Sequence, residues 1–476
     1  MPRSIRICLA AALAVLASAE TRRPIAETDL YSFRWIASPQ ISPDGSKVVY
    51  TLVTVNAKHD GYDTALWIVS TTGGAARQFT AGPRDTGPRW SPDGRMLAFL
   101  RAPEQKESKE GKPHPSQIWL LSMDGGEARP LTDMPKGASA IAWAPNGQSI
   151  AFLSTTRAAD FEKKKNGQEE ESDVRVIVRA AYRMNGQGYF EPDRPSHILT
   201  VPVPIPNAPA GPEKATQVTT GAFSESDIVW SRDGLKIYFT SNRVREPYYE
   251  PPHDEIYVVG AAGREIAKVA GIDGPIRALS LSLDGRRMAF VGSIVHGPDG
   301  RQRSYSQPDL FVTPLDPGSV PRNLTADYDF DIGGSVGGDQ APPRGAAPSK
   351  PFWSADSRST FVTAAEEGSV NLKRVDVETG KLRGILDDRH NILSYSATPD
   401  GAHLVLLVST PTVIGDLYLM NGAPGGIRQL THVNADLFNK IRATEPEMIW
   451  YKSFDGRRIQ AWVQRRPIFR RERSIR

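Results

Sequence analysis

Residues 88–101 read PRWSPDGRMLAFLR and contain the local pattern that the rest of the chain repeats. Trp90 leads into the tetrapeptide SPDG at 91–94, and an unbroken apolar run follows at 96–100. Serine at the first position of the tetrapeptide bonds nearby backbone, and proline at the second position fixes φ. Glycine ends the turn. This combination is typical of a type I turn. Such a turn between two short apolar segments predicts a β-hairpin.

The same hairpin pattern occurs seven times. Its turn carries Asp or Asn at the third position, namely at Asp44, Asp93, Asn146, Asp233, Asp284, Asp356 and Asp400. These positions are 49, 53, 87, 51, 72 and 44 residues apart, so the repeat is about 50 residues long with two insertions. A second hairpin follows each copy and often ends in Leu-Thr, as in residues 118–132 (IWLLSMDGGEARPLT). Each repeat therefore predicts four short strands.

Four-stranded repeats of this length predict the blades of a β-propeller. A single four-stranded meander cannot bury both of its faces, so such units stack on one another. Runs that are apolar at every position, such as 96–100 and 150–153, fit strands buried on both sides between neighbouring blades. We expect an all-β chain that forms a seven-bladed β-propeller. The strand order predicts that its ring closes by packing alone, with no blade shared between the two termini.

The N-terminus predicts export. Arg3 and Arg6 precede an apolar run at 7–16, and the small residues at 17–19 resemble a signal-peptidase site before Glu20. The run is too short to span a bilayer and no later stretch qualifies, so we expect no membrane anchor. Cys8, the single cysteine, lies in this leader, and no disulfide is expected in the mature protein. These features predict a periplasmic or secreted bacterial protein.

Charge and motifs exclude several function classes. The formal net charge of +4 comes largely from residues 465–476, which hold six Arg and one Glu, so no nucleic-acid-binding face is expected. The eight histidines lie at spacings unsuited to a metal site, and no glycine-rich phosphate or dinucleotide motif is present. We expect no metal and no cofactor.

One motif resembles a catalytic element. Residues 333–337 (GGSVG) match the G-x-S-x-G nucleophile elbow, which needs an apolar strand before the serine and a helix after it. Acidic residues precede Ser335 and a Pro/Gly-rich stretch follows, so we do not expect Ser335 to be a nucleophile. No other catalytic residue is predicted.

The largest insertion offers candidate binding residues. Residues 174–189 (VRVIVRAAYRMNGQGY) predict a hairpin with basic residues among apolar ones. Arg179, Tyr182 and Arg183 are candidate substrate-facing residues, because they could bind carboxylate or carbonyl groups. The alternative is that they are solvated edges of the hairpin.

Two further features are predicted to be structural. Five tryptophans fall at matching blade positions and are predicted to belong to the core, at 90, 119, 143, 230 and 353. Residues 27–35 predict a short helix with Thr28 as its N-cap.

Three stretches resemble the N-terminal part of prolyl oligopeptidase family serine peptidases, in the acylaminoacyl-peptidase and dipeptidyl-peptidase-like branch. Residues 29–45 resemble the family's entry into its propeller, 173–203 the inserted hairpin of that branch, and 447–464 the first strands of the hydrolase domain. The resemblance covers residues 27 to 464. It implies a propeller that caps an α/β-hydrolase domain and restricts access to short peptides, from which aminoacyl or dipeptidyl units are released.

The resemblance also implies that the catalytic domain is truncated. No position matches the family's nucleophile, acid or histidine, so the chain as given is expected to be inactive alone. The expected organisation is a signal peptide at 1–19, a lead-in at 20–37, the propeller at 38–440 and a truncated hydrolase start with an aberrant Arg-rich tail at 441–476. The alternative is a stand-alone, TolB-like periplasmic propeller that binds protein partners through its loops, since TolB-like chains share the turn and Leu-Thr patterns. The insertion and the final hairpin favour the peptidase.

Overall fold

The chain is nearly all β-strand where its structure is described. The computed structural model describes residues 22–82, 84–103, 115–162, 174–180, 182–185, 188–189, 191, 194–204, 211–246, 253–263, 265–297, 299–338, 340–422 and 426–465. Within these ranges the helical elements are the 3₁₀ helices Glu27–Ser32 and Ala158–Phe161 and one turn of α-helix, α1 (Ala435–Phe438). None of the described helices has the length and apolar character needed to cross a membrane.

The first five sheets each contain four antiparallel strands in chain order. Sheet one consists of β1 (Arg34–Ile41), β2 (Lys47–Val55), β3 (Tyr62–Ser70) and β4 (Arg77–Gln78). Sheet two consists of β5 (Asp85–Trp90), β6 (Met96–Arg101), β7 (Gln117–Ser122) and β8 (Arg129–Pro130). Sheet three begins with β9 (Ser139–Trp143) and β10 (Ser149–Ser154) and, after a separate ribbon of β11 (Arg183–Met184) and β12 (Gly188–Tyr189), ends with β13 (His197–Pro202) and β14 (Thr216–Gln217). Sheet four consists of β15 (Glu225–Trp230), β16 (Lys236–Ser241), β17 (Glu255–Gly260) and β18 (Ala267–Gly271), and sheet five of β19 (Ile276–Leu281), β20 (Arg287–Gly292), β21 (Asp309–Pro314) and β22 (Arg322–Asn323).

The remaining blade-like units are joined in one nine-stranded sheet. Unit six consists of β23 (Asp331–Ile332), β24 (Phe352–Trp353), β25 (Ser359–Glu366), β26 (Ser369–Asp376) and β27 (Leu382–Leu386). Unit seven consists of β28 (Asn391–Ala397), β29 (His403–Thr410), β30 (Val413–Asn421) and β31 (Ile427–Gln429). A single parallel pair, Val370 with Asn391, links the two units. A last hairpin, β32 (Glu447–Lys452) with β33 (Arg458–Val463), forms a two-stranded sheet of its own. The prediction of an all-β, propeller-like fold is confirmed.

The repeated turn forms, and its serine bonds the backbone as predicted, since the Ser91 hydroxyl oxygen accepts the Met96 N–H at 2.9 Å. The Ser91 hydroxyl donates to the Asp93 carboxylate at 2.6 Å, and the same carboxylate accepts the backbone N–H of Arg95 at 3.1 Å. Gly94 has a φ of +71°, which a residue without a Cβ adopts at little cost. Equivalent turns use glycine at this position except at Ser357, where φ is +55°. The final hairpin repeats the arrangement at residues 453–456, an eighth copy outside the seven predicted ones.

Tryptophans before the turns connect neighbouring sheets. Each indole N–H donates to a backbone carbonyl of the preceding sheet at 3.0–3.1 Å, in the pairs Trp90–Gln40, Trp143–Arg89, Trp230–Ala142 and Trp353–Ser280. The accepting carbonyl always lies two residues before its own turn, so one contact is copied around the molecule. Trp119 is an exception to the predicted common position, because it lies on β7 with the Arg101 guanidinium 4.6 Å from its ring centroid.

The Leu-Thr endings anchor the outermost strands. Threonine hydroxyl oxygens accept the backbone N–H of a residue in the third strand at 2.9–3.1 Å, in the pairs Thr80–Leu66, Thr132–Ile118, Thr219–Ile198, Thr325–Leu310 and Thr431–Leu417. The preceding apolar residue enters the core in most copies. This pair of roles explains why the two residue types recur together.

Sheet one packs against unit seven. Val48 and Tyr50 share a buried cluster with Val405, Leu407 and Leu417. The two backbone groups of Arg34 bond the side chain of Asn434, which follows unit seven, at 3.0 and 2.7 Å. An isolated bridge between Arg23 and Ile441 lies beside them. Both four-stranded units consist of consecutive strands, as the strand order predicted.

The lead-in segment differs from its prediction. The 3₁₀ helix ends at Ser32, and β1 begins at Arg34, inside the expected lead-in. Ala26, and not Thr28, is the N-cap, because the Asp29 carboxylate three residues later accepts the Ala26 N–H at 2.7 Å. The predicted signal peptide at 1–19 and the tail beyond Arg465 lie outside the described residues and stay predictions.

Candidate functional site on the loop face

The sheets define two ends of the molecule. The first strands contact one another from sheet to sheet, since β1 contacts β5 and β28, β5 contacts β9, β9 contacts β15, and β15 contacts β19. They therefore lie side by side on the inner side of the array of sheets. In each sheet the first strand runs into the SPDG-type turn and the second strand returns. All SPDG-type turns consequently lie at one end, the turn face. The N-terminal segment, the connections between second and third strands, and the connections between sheets lie at the other end, the loop face.

The predicted substrate-facing residues lie in an exposed insertion on the loop face. Arg183 is in β11 and its guanidinium lies 5.4 Å from the ring centroid of Tyr189 in β12, while the ring of Tyr182 lies 6.3 Å from that of Tyr189. Arg179 is exposed and separate from this cluster. Arg175 was missed by sequence reasoning, although its guanidinium lies 4.7 Å from the Tyr189 ring. The structure thus brings two of the three candidates together.

The inserted hairpin is much shorter than predicted. Two residue pairs form it, Arg183 with Tyr189 and Met184 with Gly188. The stretch 174–178 has no strand, and Val176 and Val178 are about four-fifths exposed. The alternation of basic and apolar residues predicted a strand over the whole stretch, but among the described residues only β11 and β12 pair there.

A pocket of about 630 Å³ opens on the loop face between three stretches distant in sequence. Leu30, Tyr31, Phe33 and Trp35 form one side, residues 59–62 of the β2–β3 connection a second, and residues of the unit-six insertion, including Gly338 and Pro343, a third. Tyr31 stacks on His59 with ring centroids 4.0 Å apart, and Trp35 meets Tyr62 edge-on at 5.9 Å. Such a pocket can hold an apolar or aromatic side chain.

The histidine–carboxylate pairs lack the arrangement of a serine-hydrolase triad. His197 Nδ1 lies 2.9 Å from Glu225, and the Thr219 hydroxyl donates to the same carboxylate at 2.9 Å. The carboxylate therefore lies between hydroxyl and imidazole, whereas a triad needs the imidazole in the middle to accept the nucleophile's proton. Ser335 is exposed after the two-residue strand β23, and no helix follows it among the described residues up to β24. Within the described ranges no group of three His, Cys, Asp or Glu side chains is placed to hold a metal.

The final hairpin contacts unit six through one face, on which Trp462 is still 48% exposed. Gln460 Nε2 donates to the Glu367 carbonyl at 2.6 Å, and the Trp462 ring covers Gly368 in the β25–β26 turn. Residues that face the opposite side, Ile449, Tyr451, Ile459 and Val463, are each more than one-third exposed, and we call them the outer face. A two-stranded ribbon with an exposed apolar face is unstable unless something covers it.

Comparisons with known proteins find relatives that are named as peptidases. It is 28% identical over 451 residues to the uncharacterized peptidase YuxL of Bacillus subtilis. This alignment covers 93% of this chain and 64% of the relative. It is 23% identical over 456 residues to dipeptidyl-peptidase 5 of Porphyromonas gingivalis, with coverages of 91% and 59%. The chain spans about three fifths of the length of these curated relatives. No family model matches it.

Solved structures support the fold. The acylaminoacyl peptidase of Pyrococcus horikoshii superimposes with a TM-score of 0.63 at 20% identity, over 92% of this chain and 59% of that one. The β-propeller domain of the trilobed protease from Pyrococcus furiosus, described as having an open velcro topology, superimposes with a TM-score of 0.53 at 18% identity, over 86% of this chain and 98% of that domain. The proteins similar to this chain are therefore peptidases with a propeller-like fold.

Proposed function

We propose that this chain is the propeller part of an exported serine peptidase of the prolyl oligopeptidase family that acts on short peptides, releasing aminoacyl or dipeptidyl units. The outer face of the final hairpin carries the proposal, because it is an apolar surface that needs a covering domain at the loop face. The peptidase relatives, which are longer than this chain, support the same reading.

We further propose that the fold is a ring of seven blades. Five four-stranded sheets and units six and seven supply seven repeats, and the contacts between sheet one and unit seven support closure. No strand exchange is needed, since the Ile41 N–H bonds the Ser396 hydroxyl across this junction at 3.2 Å. An open velcro topology, described for the trilobed-protease propeller, would be closed here by the same side-chain packing.

In this proposal a hydrolase domain covers the loop face and the propeller restricts which peptides enter. The aromatic pocket and the cluster of Tyr182 and Arg183 would lie on the substrate side, where an arginine can bind a peptide carboxylate. Residues 22–465 alone would be inactive, because the described part lacks a hydroxyl–imidazole–carboxylate chain. A signal peptide would direct the protein to the periplasm or outside the cell. The TolB-like alternative, partner binding by a stand-alone propeller, has weaker support.

The test is a chimera in which the part of the Bacillus relative left uncovered by the alignment follows Val463. The chimera should react with a fluorophosphonate probe and hydrolyse dipeptidyl or aminoacyl chromogenic substrates, but leave a folded protein substrate uncut. The chain alone should neither label nor hydrolyse. A chimera that labels but cuts folded protein as readily as short peptides would contradict the gating role, and labelling of the chain alone at Ser335 would contradict its inactivity.

A further inference from the structure

The long unit-six insertion arises from the innermost strand itself. β23 pairs with Ala364 and Ala365 of β25, and β24 pairs with Thr360 and Phe361 of the same strand. The described residues 333–338 and 340–351 lie between these two short strands, so they leave the first-strand position of unit six and return to it. Because the first strands line the central channel of the proposed ring, the insertion begins and ends at the channel wall.

The second half of the insertion contacts the inner strands of three other units. The Ser38 hydroxyl of β1 donates to the Gly345 carbonyl at 2.6 Å. Lys350 Nζ lies 2.6 Å from an Asp227 carboxylate oxygen in β15. Tyr395 of β28 donates its backbone N–H to the Ser349 hydroxyl at 3.0 Å and its own hydroxyl to the Lys350 carbonyl at 2.9 Å.

These contacts require residues 345–350, which we call the axial segment, to cross the channel. Lys350 lies five positions after Gly345, and an extended chain spans about 17 Å over five positions. The position of Gly345 is also close to Thr86 in β5, since a Cβ there would lie 3.5 Å from the threonine methyl. The segment therefore meets sheets one and two at one end and sheet four at the other.

Asp227 is a fixed receptor for Lys350. Its second carboxylate oxygen accepts the backbone N–H of Leu279 in β19 at 2.7 Å, and its side chain is 15% exposed. Asp227 also has a φ of +50°, an unusual conformation for a non-glycine residue that Asp and Asn tolerate best. The carboxylate is thus held in place by the inner strands before the lysine meets it.

We propose that the axial segment crosses and closes the central channel of the proposed ring, with Lys350–Asp227 and Ser38–Gly345 as its two latches. Its consequence for substrates rests on the proposed function: peptides reach the loop face at its rim, beside the aromatic pocket, and do not pass along the axis. Peptide selection would then depend on the size of the rim opening and not on the width of the channel.

The test measures access to the channel wall by thiol labelling. Thr86→Cys is introduced together with Cys8→Ser, and the labelling rates of a bulky polyethylene-glycol maleimide and of N-ethylmaleimide are compared. If the axial segment closes the channel, the bulky reagent should label Thr86→Cys much more slowly than N-ethylmaleimide does. Lys350→Met should raise the ratio of bulky to small rates about tenfold, because it removes a charge-assisted bond from the segment.

Matched variants separate the latch from general loosening. Asp227→Asn keeps an acceptor for Leu279 and tolerates positive φ, so it should raise the ratio as Lys350→Met does, and the double variant should match either single one. Leu235→Cys on the turn face, 67% exposed, should label at the same rates in every background. Hydrogen exchange at residues 345–350 should accelerate in the latch variants.

Three results would overturn the proposal. If the bulky maleimide labels Thr86→Cys as fast as Leu235→Cys when Lys350 and Asp227 are unchanged, the channel is open. An unchanged ratio in both latch variants would reject the latch, and additive effects of the two substitutions would show that the residues do not act as a pair. None of these measurements uses hydrolysis, so they remain interpretable if the peptidase assignment fails. A working peptidase with an open channel would contradict the closure of the channel but not the proposed function.

Discussion

Asp44 shows how one side chain organises a turn. Its carboxylate accepts the Ser42 hydroxyl at 2.5 Å and the backbone N–H of Ser46 at 3.0 Å, and these bonds hold its pKa at about 2. Hydroxyl and backbone donors lower the pKa of the equivalent aspartates in five further repeats, Asp93, Asp233, Asp284, Asp356 and Asp400. The third repeat has Asn146 in this place, and its amide oxygen accepts the Gln148 N–H at 3.0 Å without a charge.

These aspartates predict acid sensitivity. A carboxylate whose pKa is lower in the folded state stabilises the protein fully above its unfolded pKa of about 3.9, and this contribution is lost as pH falls towards the folded value. We expect the free energy of unfolding to fall between about pH 4 and pH 2. Asp44→Asn should reduce this dependence, measured by urea unfolding at several pH values. Equal pH dependence in the parent and in Asp44→Asn would contradict this prediction.

The tryptophan contacts predict a local stability cost. Trp230→Phe removes the indole donor to the Ala142 carbonyl and leaves that carbonyl without this bond, which should cost about 1–3 kcal/mol in chemical unfolding. Trp353→Phe should cost a similar amount, because it removes the same contact to Ser280. A change below about 0.5 kcal/mol in both variants would show that the repeated bond does not hold neighbouring sheets together.

At the level of elements, the final hairpin depends on Gly368. Its φ of +80° and the Trp462 ring above it leave no room for a side chain. Gly368→Ala should release the hairpin, seen as faster hydrogen exchange at residues 447–463, with the sheets themselves little changed. Gly422→Ala is the matched control, since Gly422 has a φ of +70° but open space around it. Equal exchange in the two variants would mean that the hairpin is not docked through Trp462.

The elements differ in how far sequence could predict them. The SPDG turns and their strands follow from local chemistry, since Ser91, Asp93 and Gly94 form their bonds within a few residues. The inserted hairpin at 174–189 was predicted to be longer than it is, because the alternation of basic and apolar residues was taken to indicate a strand over the whole stretch. The axial segment belongs to the Pro/Gly-rich stretch that follows Ser335. Its crossing could not be predicted, because such a stretch has no periodicity and its partners Ser38, Asp227 and Tyr395 lie far away in sequence.

At the scale of the whole molecule, the proposed ring closes at the contact between sheet one and unit seven. Leu407 is buried in the cluster that joins the two. Leu407→Ala should lower the free energy of unfolding by about 2–5 kcal/mol, with one cooperative transition retained. Loss of unit seven alone, seen as a separate early transition, would contradict a ring whose ends stabilise each other.

The aromatic pocket shows the limit of sequence reasoning at this scale. Tyr31 and Trp35 occur in a stretch dense in aromatic residues, which was a signal for contact but not for a cavity. Their partners His59 and Pro343 come from a hairpin connection and from the unit-six insertion. A site assembled from three separate stretches becomes visible once the loop face is built, and its aromatic lining fits an apolar or aromatic side chain.

The most direct test of the account is short-peptide hydrolysis by the chimera joined after Val463, compared with the same chimera carrying Tyr451→Ser and Ile459→Ser on the outer face. If a hydrolase domain covers that face, the parent chimera should cleave dipeptidyl or aminoacyl substrates. The double variant should lose most of this activity, while its propeller should unfold as it does in the parent chimera. Equal activity in both proteins would contradict the docking surface, and a chimera that reacts with the fluorophosphonate probe yet cleaves no short peptide would contradict the proposed function.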